Sequence, residues 1–119
     1  EQWNLLNAES KSQLVTGVTI ARSGFLAENE EAVKQFLEDH ASSAAYTSEH
    51  PEEAAQMIAD QGIVEKAPIA QKALPFCNIV CITGQEMKDA LSGYLEVLNS
   101  QDAASIGGAM PGDDFYYMP

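Results

Sequence analysis

The side chains that could do chemistry in this chain include two histidines (His40, His50), two cysteines (Cys77, Cys81) and the carboxylate pairs Glu30/Glu31, Glu52/Glu53 and Asp113/Asp114. A histidine acts as a base when a second group orients it and a nucleophile lies within reach. No serine or cysteine stands in a nucleophile-elbow context here, and no third group is spaced to orient either ring. His40 falls on the apolar stripe of a helical pattern, where a histidine is expected as a satisfied core residue. His50 precedes Pro51 at a helix start and is expected to cap or to face solvent. The cysteines sit four apart in "CNIVC", and neither histidine stands at a zinc-site spacing from them. In an extended segment four residues span ~13 Å, too far for a disulfide, which needs Cα atoms within ~7 Å. A helix would bring them closer, but the Ile-Val centre favours a strand, so two small buried thiols are expected. The carboxylate pairs are spaced for helix starts and turns, not for a pair facing across a cleft. The glycines of "SIGGAMPG" lack the strand-to-helix setting and the lysine of a phosphate loop. The residues therefore suggest no enzyme, no metal site and no cofactor.

The elements that would position these groups are mainly helical. "ENEEAVKQFL" opens one helix at Asn29, whose side chain suits an N-cap, and Val33, Phe36, Leu37, His40, Ala41 and Ala44 then form one face. "EHPEEAAQMIADQG" carries its own start and stop: Pro51 at the first helical position, Glu52 and Glu53 in the first turn, Gly62 at the end. This second helix is expected to bury Ala54, Met57 and Ile58. A third should run from about Pro68 to Leu74 and stop at Pro75. "TGQE" (Thr83–Glu86) is a capping-box pattern ahead of Met87, Ala90, Leu91, Tyr94, Leu95 and Leu98 at helical spacing. Two stretches read as strands. Leu14–Arg22 is β-branched, with Leu14, Thr16, Val18 and Ile20 on one side and Val15, Gly17, Thr19 and Ala21 on the other; "FCNIVCI" (Phe76–Ile82) is a short apolar run. Before them, Glu1–Gln13 is polar with Trp3, Leu5 and Leu6 as anchors, and after Asn99 the chain becomes a Gly- and Pro-punctuated tail. The fold class expected of this chain is mostly α-helical with one or two short strands.

With 119 residues, of which 18 are acidic and 6 basic, the chain fits a single domain with a formal charge of -12. That charge repels phosphate backbones and anionic lipid headgroups, so nucleic acid is excluded as a natural partner. No apolar run approaches the ~20 residues of a membrane span. The chain starts at Glu1 without a methionine, and it is expected to be processed or cut from a longer protein.

The order of these phrases resembles the closing region of solute-binding proteins of ABC importers, in the branch that serves nitrate, sulfonates, taurine and thiamine precursors. Phe25, Leu26, Asn29, Glu31, Ala32, Val33 and Phe36 fit the phrase that opens the first long helix there. Glu49, Pro51, Glu52, Glu53 and Ala54 fit the phrase that opens the next. The stretch "ALPFCNIVCITGQEMKDALSGYLEVLNSQDAASIGGAMPGDDFYY" is similar to a subgroup from anaerobic Gram-positive bacteria. Glu30 stands where proline is usual, and His50 where asparagine is. The resemblance runs from Trp3 onward and reaches only the C-terminal part of a family whose members are longer, two-lobed α/β proteins of the periplasmic-binding-protein-like fold.

The resemblance implies an extracytoplasmic protein that captures a small anionic or heteroaromatic solute between two lobes and delivers it to a membrane permease, without covalent chemistry. Residues 1–13 would be an arm or hinge segment from the preceding lobe, and residues 14–119 the C-terminal part of a solute-binding lobe. Thr16, Gly17 and Thr19, on the crossover strand, would lie beside the cleft. A strand with bare edges also implies self-association through Leu14–Arg22. Two other readings compete: a free-standing acidic helical interaction domain docking through its Met/Leu/Tyr stripe, and a small enzyme or metal protein in which His40 and His50 converge.

Overall fold

A computed structural model describes residues 2–7 and 12–119, without the side chain of Leu6; the rest of the N-terminal arm lies outside the described residues. The chain is mostly helical. It divides into two units, Arg22–Cys81 and a second made of Glu1–Ala21 with Ile82–Pro119.

The unit Arg22–Cys81 contains four helices: α2 (Ser23–Glu28), α3 (Glu30–Glu49), α4 (Pro51–Asp60) and α5 (Ala67–Cys77). Asn29 separates α2 from α3. Its side chain does not cap α3; its backbone N–H and its Nδ2 both donate to Phe25 O, each at 3.0 Å, so it closes α2 instead. The start and stop of α4 match the sequence reading. Pro51 is in the first turn, and Gly62 takes the left-handed φ of 71°. Gly62 N–H donates to Ala59 O at 2.9 Å and Ile63 N–H to Ile58 O at 3.1 Å. This is the doubled closure that a left-handed glycine permits after a helix.

Helices α4 and α5 pack on each other, and the buried residues they contribute are small. Ala54, Ala55 and Ala70 are buried, as is Ala44 of α3. Alanine at such positions brings helix axes close together, but it removes little apolar area from water. Of the predicted α4 core, Ala54 is buried and Ile58 half-buried, whereas Met57 is exposed. The predicted α3 stripe is likewise only partly covered, with Val33 and Leu37 half-buried and Phe36, His40 and Ala41 exposed.

Helix α5 runs past Pro75, which the sequence reading takes as its stop, and ends where Asn78 adopts the left-handed φ and ψ of 50° and 50°. Proline's fixed φ is itself helical; what it removes is one donor in the last turn, a small loss where the helix is already ending. The extension absorbs Phe76 and Cys77, so the strand expected over Phe76–Ile82 does not form. The buried-thiol expectation also fails: Cys77 is exposed, Cys81 is half-buried, and both are free.

The other unit is built on α1 (Gln2–Leu6) and α6 (Gly84–Gln101), followed by 3₁₀ turns at Ala103–Ile106 and Asp113–Phe115. Thr83 has the extended backbone of an N-cap, but its side chain makes no cap bond, so the capping box is not formed. Gly84 follows with φ of 62°, and Thr83 O is 3.4 Å from Met87 N. That left-handed step places Thr83 off the helix line on which a reciprocal Thr-Glu cap depends. The predicted stripe of α6, from Met87 to Leu98, is half-buried throughout. Tyr94 of that stripe meets Trp3 of α1 with ring centroids 5.1 Å apart.

The second expected strand, Leu14–Arg22, is also absent: no strand occurs among the described residues. The alternation and the β-branched residues are present, but a strand exists only as part of a ladder. β-Propensity describes how well a residue fits a pleated surface that a partner must supply. With Phe76 and Cys77 taken into α5, no described segment supplies one.

Candidate functional site

The two histidines lie along one helix and its end. His40 is exposed and stacks on Phe36 one turn earlier, with centroids 5.6 Å apart, so it is not the core residue expected. His50 joins α3 to α4. Its ring stacks on Tyr46 at 4.5 Å and its Nδ1 lies 2.9 Å from Glu53 Oε2. Its backbone N–H donates to Tyr46 O at 2.8 Å and its carbonyl accepts from Ala54 N–H at 2.9 Å. A ring clamped between an aromatic face and a carboxylate at a helix junction is a structural joint.

The carboxylate pairs sit in the first turns of α3 and α4, as the sequence reading places them. Glu30 and Glu31 hold Lys34 at 2.9 and 3.2 Å, and their hydrogen bonds keep that ammonium above its ordinary range. Glu52 Oε1 accepts from Gln71 Nε2 at 3.3 Å, linking α4 to α5. Among the described residues no three His, Cys, Asp or Glu side chains converge as a metal-binding group.

The glycine pair of the tail closes a turn. Asp102 Oδ1 accepts from Ala104 N–H at 3.0 Å, and Gly107 and Gly108 take φ of 88° and 97°. Their N–H groups donate to Ala104 O and Ala103 O at 3.2 and 2.8 Å, so these amides are used internally. Beyond them, Lys88 Nζ lies 2.8 Å from Asp113 Oδ1 and 5.6 Å from the centre of the Tyr116 ring, which is buried. The hydrogen bond to Asp113 holds the Lys88 ammonium above its ordinary range, and the Asp113 carboxyl is correspondingly lowered. Burial pushes the Tyr116 phenol up. Sequence reading does not foresee this cluster, because Lys88 and Asp113 are far apart in the chain and neither matches a motif.

Thr16, Gly17 and Thr19 are all exposed on the segment 13–21, which forms no helix, strand, turn or bend. No hydrogen bond within the described residues engages the backbone groups of that segment. Gly17 has nothing within 4 Å of where a Cβ would stand. At its head, Ser12 is buried, its carbonyl and hydroxyl accept from Trp3 Nε1 at 3.2 and 3.3 Å, and its Cα lies 4.0 Å from the Cβ position of Gly93 on α6. The chain thus presents a run of free backbone donors and acceptors flanked by two threonine hydroxyls, anchored at one end. Such groups bind polar oxygens or another extended backbone; they do not by themselves catalyse. No helix among the described residues is long and apolar enough to cross a membrane. No family description, curated protein or solved structure matches the chain.

Proposed function

We infer that this chain is part of an extracytoplasmic solute-binding protein of an ABC importer, one that captures a small anionic or heteroaromatic solute, such as a sulfonate, nitrate or thiamine precursor, and passes it to a permease. The observation that carries the reading is local. The phrase from Phe25 to Phe36 runs from α2 through Asn29 into the start of α3, and the phrase from Glu49 to Ala54 spans the junction at His50 and the first turn of α4. Thr16, Gly17 and Thr19 would stand beside the cleft, where hydroxyls and free amides suit anionic oxygens. No covalent step and no cofactor belong to this function.

The test starts from cells that make the protein. Immunocapture with an antibody against Pro51–Asp60, followed by native mass spectrometry, reads the bound solute, and protease digestion of intact cells reads the compartment. A product digested from outside and carrying a small acid or heteroaromatic is expected. A cytoplasmic product that carries no solute overturns the reading. The alternative, an acidic helical interaction domain, is favoured by the apolar side chains that α3 and α5 leave in solvent, Phe36, Ile69 and Phe76. Its signature in the same capture is a stoichiometric protein partner in place of a solute.

A further inference from the structure

We propose that the segment Leu14–Arg22 is an interaction surface that pairs with the same segment of a second copy of this chain, as an antiparallel two-stranded ribbon centred on Val18. Three observations carry it. First, the backbone from 13 to 21 runs without helix, turn or bend and no hydrogen bond among the described residues engages it, so its donors and acceptors are open to another backbone. Second, its β-branched and aliphatic side chains are in solvent: Leu14, Val18 and Ile20 are exposed, Ile20 by 84%. Third, the charge pattern admits a second copy. In a chain of net charge -12, residues 12–21 carry no charge at all and Arg22 is basic, so self-pairing brings no carboxylate of the segment opposite another.

The register follows from two-fold symmetry, in which a residue and its opposite must exchange roles. Centring on Val18 sets Val18 opposite Val18, Thr16 opposite Ile20, Gly17 opposite Thr19 and Leu14 opposite Arg22. This keeps Leu14, Thr16, Val18 and Ile20 of both copies on one face. Nine residues reach ~30 Å, and a ribbon of that length covers roughly 300 Å² a side. That is well below the ~1,200 Å² total of stable interfaces, so the dimer forms and dissociates with concentration. A free ribbon is marginal in water; here the anchored Ser12 holds its N-terminal end to a folded unit. The pairing does not rest on the transport reading.

Sedimentation velocity of the 119-residue chain across a concentration series is the first measurement, and a reversible monomer–dimer equilibrium is expected. Val18→Pro, which removes a ladder donor at the centre, should weaken dimerisation at least tenfold. Gly17→Val, which adds a β-branched side chain in open space, should strengthen it. Helical circular dichroism of both variants checks that the helices persist. Register is read by cross-linking with oxidised glutathione in a Cys77→Ser, Cys81→Ser background. Val18→Cys should form a disulfide-linked dimer, since opposed Cα atoms lie within bridging distance. Thr19→Cys, opposite Gly17, should not. A chain that stays monomeric at millimolar concentration overturns the proposal. So does a dimer that Val18→Pro leaves intact, or one that cross-links equally at both positions.

Discussion

At the scale of single residues, the contacts outside the helix backbones that can be tested are local and mostly solvent-exposed. The Lys88–Asp113 pair beside Tyr116 is an ion pair in which both partners have a shifted titration. Asp113 has its carboxyl lowered, first by the hydrogen bond from Lys88, so its stabilising effect is complete above the ordinary carboxylate range and is lost as pH falls through the lowered folded value. Lys88 has its ammonium raised, so its effect is complete below the ordinary lysine range and is lost as pH rises through the raised folded value. Tyr116, raised by burial, adds to the alkaline loss, because the unfolded phenol ionises first. The docking of the 3₁₀ turn Asp113–Phe115 should therefore be most protected between about pH 4 and pH 10. NMR shifts of the Tyr116 ring across pH 2–11 check this, with flat shifts at both ends as the contrary result. The pairing of Lys88 with Asp113 is not legible in the sequence. Charge pairing across a chain reversal depends on where the tail returns, and no spacing rule encodes that.

At the scale of elements, α4 and α5 pack on each other and bury only small residues. Ala55 is 1% exposed, and both Ala54 and Ala70 are buried. Ala55→Leu has no space to enter and should destabilise this unit by about 1–3 kcal/mol through overpacking. Met57→Gln, on the exposed side of the same helix, should stay within about 0.5 kcal/mol. Chemical denaturation of the two variants compares them directly, and equal stabilities would mean that Ala55 is not a packing contact. The long helices were legible, because period and punctuation are local: Pro51 and Gly62 begin and close α4 where those residue types belong, whereas α2 ahead of Asn29 was not expected. The side-chain caps were not. Asn29 and Thr83 have suitable side chains, yet Asn29 bonds backwards to Phe25 and Thr83 is followed by a left-handed Gly84. A cap depends on the backbone step beside it as much as on the residue.

At the scale of the whole molecule, the chain buries little large apolar surface. Among the described residues the buried hydrophobic side chains are four alanines and Tyr116, and no large side chain is fully enclosed. Phe76, in contrast, is 82% exposed. A packed domain of this length would show a heat-capacity change on unfolding of about 1.4–1.8 kcal/mol/K, because that quantity follows apolar burial. Scanning calorimetry of the dilute chain should give a clearly smaller value, and the native protein should bind the dye ANS. A full-sized heat-capacity change without dye binding would show a core that these contacts do not contain.

The sequence by itself determined α3, α4 with both its ends, α6 and the acidic first turns, since each depends on neighbours a few residues away. Only the tertiary structure decided that Leu14–Arg22 is not a strand, that α5 continues through Pro75, and that His40, Met57 and Cys77 face solvent. The physical reason is the same in these cases. Strand pairing and burial are supplied by a second element, and a periodic pattern states what a segment can cover without stating whether anything is there to be covered.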